Sequence, residues 1–235
     1  MCGSPGHAKK TIIAVVAFGM LLSYAIFLIL PADTVIQSTR EDGIIENFTA
    51  GFYLFASVFA FVLFFGTRRG NDLGFIKMKR NVFFLFLGII LFLIFGEEIS
   101  WGQRIFGLAT PGFLEEINVQ REIGFHNLRI FRGMLRANRL LQYFCFLYAV
   151  LLPVIHLTIP RLKKWIYKIN IPVVPVSMSL LFLFSYILSR IFNARVSIKL
   201  THSVIEVMEF NFGILFLGAT VWFLCSLGTK PQHAA

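Results

Sequence analysis

Residues 81–104 read NVFFLFLGIILFLIFGEEISWGQR. The first sixteen residues of this stretch contain one polar side chain, that of Asn81, and two glutamates follow them directly. An apolar run of this kind predicts a transmembrane helix, because about 20 residues are needed to cross a bilayer. Charged side chains near the hydrocarbon cost free energy and usually serve a function, so the same stretch predicts a site at the end of the helix.

The composition extends the membrane prediction to the whole chain of 235 residues. Hydrophobic residues make up 57% and charged residues 14% of it, whereas soluble domains contain about 45–50% apolar and about 25% charged residues. Backbone polar groups in a bilayer must be paired within the chain, which favours helices. We therefore predict an all-α, polytopic transmembrane helix bundle that forms a single integral domain of the cell membrane over residues 1–235.

The hydropathy pattern predicts about six spans. They cover residues 11–30, 44–66, 81–103, 140–159, 171–192 and 202–227. The connection between the third and fourth spans, residues 104–139, is predicted to form an outer segment with an amphipathic interfacial helix.

Basic residues predict the orientation of the bundle, because cytoplasmic loops are rich in lysine and arginine. Eight of the nine lysines lie on the side that carries both termini, which is therefore predicted to be cytoplasmic. The six arginines of residues 104–139 oppose this orientation, but long segments cross the membrane largely regardless of charge. The net charge of +10 then indicates contact with membrane lipids, and nucleic acid is not an expected partner.

Acidic residues collect at the opposite, outer side. Of the twelve, only Asp72 falls in a predicted cytoplasmic loop. If the third helix continued through Arg104, Glu97, Ser100 and Arg104 would share one face. Glu98 would then point toward Trp101 on another face.

The residues of this helix end favour general-base chemistry. Glu97 or Glu98 would activate a water molecule, while Gln103 and Arg104 bind a substrate anion. The alternative is a structural helix end, in which Glu97 and Arg104 are bridged and Trp101 anchors the helix at the interface. Two adjacent acids and a glutamine exceed what a helix end requires, which favours the functional interpretation.

A second polar group begins the last span. His202, Glu206 and Glu209 are spaced four and three residues apart, so they share one helical face. A histidine and a carboxylate one turn apart can act as an acid–base pair or as metal ligands. We therefore predict catalytic roles for His202 and Glu206.

The connection 104–139 carries a third group. Its regular spacing predicts one stripe on a helix, made of Glu122, His126, Arg129, Arg132, Arg136 and Arg139. In one interpretation the arginines contact lipid phosphates at the membrane surface. In the other, Asn127, Arg129 and Arg132 bind the substrate and His126 takes part in catalysis. Glu122 and His126, with His202 and Glu206, could then bind zinc as a cofactor.

The order of these motifs resembles that of the CAAX-protease and bacteriocin-immunity type of intramembrane protease. The resemblance rests on Glu97-Glu98 with a later arginine, on Phe125-His126, and on His202 followed four residues later by Glu206. It implies that Glu97 or Glu98 activates water and that His126 and His202 support catalysis and the oxyanion. It also implies a membrane-peptide substrate.

Two functions from different classes remain open at the level of sequence. The first is a membrane-embedded hydrolase or transferase, metal- or glutamate-dependent, that acts at the outer side on a lipid-linked or membrane-peptide substrate. The second is a non-catalytic subunit or lipid-binding assembly partner, in which the polar residues form a structural ion-pair network with a protein partner in a membrane complex. A transporter is less favoured, because the acidic residues do not continue to the cytoplasmic half.

Overall fold

A computed structural model of the chain describes residues 5–41, 43–67, 77, 79–118, 123–124, 128–129 and 137–227. The fold of this part is all-α, as predicted. The first six helices are α1 (Pro5–Ile29), α2 (Ala32–Thr39), α3 (Ile44–Phe65), α4 (Val82–Glu98), α5 (Gln103–Phe106) and α6 (Gly112–Ile117). The others are α7 (Ala137–Cys145), α8 (Leu152–Thr158), α9 (Pro160–Ile169), α10 (Val176–Arg195) and α11 (Thr201–Cys225).

Five helical stretches are long and apolar enough to cross a membrane, which indicates an integral membrane protein. They are Gly6–Ile29, Ala32–Phe65, Arg139–Thr158, Val176–Arg195 and Ile198–Cys225. These stretches overlap five of the six predicted spans. The predicted third span corresponds to α4, which is strongly apolar but only 17 residues long. A sixth crossing at α4 therefore stays a prediction.

The last helix, α11, is the centre of the bundle. It packs against α1, α3 and α10. The buried share of its apolar stretch, 61%, is the largest among the five stretches. Two side-chain bonds fix its position: Asn211 Nδ2 donates to Ser23 Oγ of α1 at 2.8 Å, and Thr39 Oγ1 of α2 donates to Ser203 Oγ at 2.7 Å. Because these polar atoms are buried and paired, they join the helices without the cost of an unsatisfied group.

Small residues let α3 and α4 pack closely. Ser57 Oγ donates to the carbonyl of Gly88 at 2.8 Å, and a Cβ atom at Gly88 would lie 2.8 Å from the ring of Phe61. Ala56 and Ala60 are fully buried on the same helix. Close approach of helix backbones through small residues is typical of membrane bundles.

The end of the bundle opposite the acidic residues is tied together by asparagines. Asn81 caps α4, its Oδ1 accepting from Phe83 N at 3.1 Å, and its Nδ2 donates to the carbonyl of Asn170 at 2.9 Å. Asn170 also exchanges two hydrogen bonds with the backbone of Lys77, at 2.6 and 2.7 Å. We call Lys77, Asn81 and Asn170 the asparagine clamp. At the same end of α11, Lys9 Nζ lies 4.8 Å from the ring centre of Trp222.

The structure corrects the start of the predicted fifth span. Residues 171–175 are not helical, and α10 begins at Val176 rather than at residue 171. The reason is the two prolines, Pro172 and Pro175, because a residue that precedes proline disfavours the helical conformation. Another proline, Pro153, lies in the predicted fourth span, where a π-helical turn over Phe146–Leu151 precedes it and separates α7 from α8.

The predicted interfacial helix between spans 3 and 4 is not continuous over the stripe that begins at Glu122. Ile123 and Gly124 are outside helices, and Leu128 forms an isolated antiparallel bridge with Asn118. Asn118 Nδ2 also donates to the carbonyl of Gly124 at 2.7 Å, so this carbonyl has a hydrogen-bond partner without forming part of a helix. Within the described residues, the next α-helix is α7, which begins at Ala137.

Replacing Gly218 with valine is expected to destabilise the bundle. A Cβ atom at Gly218 would lie 2.6 Å from Val16 Cγ2 and 3.2 Å from Met178 Cε, so α11 would be forced away from α1 and α10. Overpacking of this kind costs about 1–3 kcal/mol. The measurement is thermal unfolding of the detergent-purified protein.

Gly51→Val is the matched control, because nothing lies within 4 Å of a Cβ atom at Gly51 in α3. Both changes place valine inside a long apolar helix. Equal unfolding temperatures for the two variants would contradict close packing at Gly218.

Candidate functional site

The helix that carries the two glutamates ends earlier than predicted. α4 ends at Glu98, and the next turn, Ser100–Gly102, has left-handed backbone: φ is 46° at Ser100, 53° at Trp101 and 78° at Gly102. Non-glycine residues rarely adopt this conformation, and it interrupts the α-helix. The predicted helical face of Glu97, Ser100 and Arg104 is therefore wrong.

The side chain of Trp101 packs back onto the end of α4. Its indole ring lies on Gly96, where a Cβ atom would be 2.9 Å from the ring. Its Nε1 donates to Glu97 Oε1 at 2.6 Å. The predicted position of Trp101 beside Glu97 is found, and the hydrogen bond between them closes the end of α4. The two adjacent glutamates thus have different surroundings.

Gln103 fixes the connection that follows the turn. Its Nε2 donates to Thr110 Oγ1 at 2.6 Å, and its Oε1 accepts from the backbone N–H of Ile123 at 2.5 Å. Both ends of the amide are thus used within the protein. These bonds join Gln103 to Thr110 and to Ile123. The predicted contact of Gln103 with a substrate stays a prediction.

At the start of α11 the predicted pair is formed. His202 Nδ1 lies 3.6 Å from Glu206 Oε1, with side chains 67% and 19% exposed respectively. The histidine therefore faces outward, and the carboxylate lies further into the bundle. One turn later, the backbone carbonyl of Glu209 accepts from Tyr53 Oη at 3.2 Å, which joins α11 to α3.

Carboxyl groups from three helices converge at this end of the bundle. Glu98 interacts electrostatically with Glu209, Glu206 and Glu46 as well as with its neighbour Glu97. Glu206 interacts in turn with Glu209 and Glu46. We call Glu46, Glu98, Glu206 and Glu209 the carboxyl cluster. Like charges repel one another, so the cluster favours a proton, a cation or a basic side chain beside it.

Two uncharged side chains at the cluster are not among the predicted site residues. Tyr53 interacts with Glu98 and Glu209, and its side chain is fully buried. Cys145, buried at the end of α7, interacts with Glu209. The spacing of seven residues between Glu46 and Tyr53 places them on one helical face and could have indicated the tyrosine. No sequence signal distinguishes Cys145 from a packing residue.

The other predicted site residues are not placed at the cluster. Arg129 is described and is exposed. Arg104 is the second residue of α5, but its side chain is not among the described parts of the chain. The remaining predicted residues lie outside the described residues: Glu122, His126, Asn127 and Arg132.

The described residues include two of the four predicted zinc ligands, His202 and Glu206. Within this part of the chain, no group of three or more His, Cys, Asp or Glu residues is arranged to hold a metal ion. The other two predicted ligands, Glu122 and His126, lie outside it. A zinc site that combines all four residues stays a prediction.

Comparisons of the chain with protein-family models, curated proteins and solved structures give no match. The resemblance to the CAAX-protease type of intramembrane protease rests on the sequence motifs alone and stays a prediction.

Replacing Trp101 with phenylalanine is expected to destabilise the turn after α4. The change keeps an aromatic ring near Gly96 but removes the N–H that donates to Glu97. Loss of a hydrogen bond to a carboxylate costs about 1–2 kcal/mol in a partly buried membrane site. The measurement is thermal unfolding in detergent.

Trp165→Phe serves as the control, because Trp165 in α9 is 59% exposed. If Trp101→Phe unfolded at the same temperature as this control, the bond to Glu97 would not be what holds the turn.

Proposed function

We propose that the protein is a membrane-embedded hydrolase or transferase that acts on a lipid-linked or membrane-peptide substrate. The observation that carries the proposal is the carboxyl cluster itself. Residues far apart in the sequence, on α3, α4 and α11, converge at one end of an otherwise apolar bundle. Charged groups in such surroundings are costly and usually serve a function.

Glu98 is the better general base of the two adjacent glutamates. Glu97 already accepts a hydrogen bond from Trp101, whereas Glu98 interacts with the carboxyl groups of α11. In the proposed reaction Glu98 takes a proton from water, and the resulting hydroxide oxygen attacks the carbonyl or phosphoryl centre of the substrate. In a transferase, a hydroxyl group of an acceptor replaces the water.

The second proton transfer is assigned to His202 and Glu206. The exposed imidazole lies within 3.6 Å of the carboxylate, which can orient it and stabilise its protonated form. The imidazolium then donates a proton to the leaving group. Arg104, Arg129 and Arg132 are the proposed partners of a substrate anion, and His126 supports catalysis as the resemblance implies. Zinc, if bound by the predicted ligands Glu122, His126, His202 and Glu206, would polarise the substrate oxygen.

The orientation of the site is also part of the proposal. With α4 as a sixth span, both termini lie in the cytoplasm and the carboxyl cluster lies on the outer side. The distribution of charge supports this, because lysines lie at the end marked by the asparagine clamp and by the contact of Lys9 with Trp222. The positive-inside rule assigns that end to the cytoplasm.

Glu98→Gln is expected to abolish turnover in a protein that stays folded. The wild type is reconstituted in vesicles made from membranes of the expressing cells, in water enriched with heavy oxygen. A hydrolase transfers the heavy oxygen to a product, which mass spectrometry detects. Because glutamine cannot accept the proton, the labelled product should form about a hundredfold more slowly, or slower still.

The control is Glu116→Gln, which removes an exposed carboxylate of α6. It should leave product formation and unfolding temperature unchanged. New products without heavy oxygen would identify a transferase. If the wild type forms neither kind of product, the enzyme proposal fails.

A non-catalytic subunit is the second candidate function. It is supported by the hydrogen bonds of Glu97 with Trp101 and of Gln103 with Thr110, which are consistent with a structural role for part of the polar stretch. In that case Glu98→Gln would change the unfolding temperature or assembly with a protein partner rather than turnover.

Cysteine labelling tests the orientation. Glu116→Cys in α6 should react with a membrane-impermeant maleimide in intact cells, whereas Lys163→Cys in α9 should react only after the cells are opened. Both residues are exposed, so the pair differs in its end of the bundle rather than in accessibility. The background lacks Cys2 and Cys225. The reverse labelling pattern would invert the topology.

A further inference from the structure

The helix α9, Pro160–Ile169, lies at the end of the bundle away from the carboxyl cluster. It begins directly after the stretch Arg139–Thr158 ends. Its C-terminal neighbour Asn170 belongs to the asparagine clamp, which ties it to the start of α4. Both ends of α9 are thus attached to membrane-embedded helices, so its position relative to the bundle is fixed.

The side chains of α9 separate into two faces. The apolar residues Leu162, Trp165, Ile166 and Ile169 follow the spacing i, i+3, i+4 and i+7. Ile166 is 5% exposed and seats the helix on the protein, whereas Trp165 is 59% exposed, Leu162 41% and Ile169 44%. A helix with an exposed apolar edge that includes tryptophan is typical of the boundary between headgroups and acyl chains.

The other face of α9 carries four basic residues beside Pro160 and Tyr167. Arg161, Lys163, Lys164 and Lys168 are all exposed, and the ten residues of the helix include no acid. Two of these cations lie against aromatic rings: Lys168 Nζ is 5.3 Å from the ring centre of Trp165, and Lys163 Nζ is 5.7 Å from that of Tyr167. These contacts hold the two ammonium groups beside the aromatic rings of the same helix.

We propose that α9 is an interfacial helix that binds the anionic phospholipid headgroups of the leaflet on its own side of the bundle. The apolar edge reaches into the acyl region, while four cations face the phosphate layer. Charge complementarity selects the occupant, because a basic face without acids attracts a negative surface. A bilayer also covers the exposed apolar edge. This site is separate from the carboxyl cluster and does not depend on the proposed enzyme function.

Quenching of Trp165 fluorescence by brominated lipids tests the proposal. The full-length protein is reconstituted in phosphatidylcholine vesicles that contain either brominated phosphatidylglycerol or brominated phosphatidylcholine at the same mole fraction. The difference between wild type and Trp165→Phe isolates the signal of Trp165 from those of Trp101 and Trp222. Brominated phosphatidylglycerol should quench Trp165 more strongly than brominated phosphatidylcholine, and higher salt should reduce the difference.

The decisive variant replaces Arg161, Lys164 and Lys168 with glutamine. Each basic side chain near an anionic surface contributes about a fivefold preference, so the difference between the two lipids should shrink to the part that Lys163 supplies. The matched control replaces three exposed cations at the other end of the bundle, Arg190, Arg195 and Lys199. This control should keep the preference of the wild type.

Three results would overturn the proposal. Equal quenching by the two lipids in the wild type would show that α9 does not select anionic headgroups. A preference as large in the α9 variant as in the wild type would place the selectivity elsewhere. Absence of quenching by either lipid would place α9 away from the bilayer, as expected if its basic face binds an acidic protein instead. The salt dependence of the wild type decides the matter even if the triple variant fails to fold.

Discussion

The bilayer interior provides no water to pair with polar groups, and the arrangement of this protein depends on that constraint. Backbone amides are satisfied within long helices. Polar side chains inside the bundle must find partners, as Asn211 does with Ser23 across α1 and α11. Because α11 holds the greatest buried share, the other helices are arranged around it. The carboxyl cluster is tolerated because it lies at the end of α11 rather than at its middle.

The five long apolar helical stretches could be predicted from the sequence. Apolar runs of this length in a polytopic chain rarely form anything other than helices that cross the membrane. The end of α4 could not be predicted. The helix ends at Glu98 because Ser100 and Trp101 adopt left-handed backbone conformation. Neither residue type favours this conformation. The role of Gly96, on which the indole ring packs, can be recognised only once this left-handed turn is known.

The candidate site was partly predictable for the same reason. His202 and Glu206 are close because they lie one turn apart on one helix, which spacing alone reveals. The meeting of Glu98 with Glu46 and Glu209 depends on how three helices pack, and the sequence could indicate only their common side of the membrane. The sequence prediction uses the basic residues of α9 only as signals of orientation. Their apolar neighbours, at helical spacing, carried the further information that the segment is a surface helix.

The fixed length of α4 has a consequence for the depth of the carboxyl cluster. From Val82, next to the cap at Asn81, to Glu98 the helix has 17 residues, and at 1.5 Å per residue it measures about 26 Å. The hydrocarbon core of a bilayer is about 30 Å thick. If α4 is the proposed sixth span and its first turn lies at one surface, the helix is too short to reach the opposite surface of an undisturbed bilayer. In that arrangement either the membrane thins around the protein, or Glu98 lies below the headgroups and water must enter to reach it.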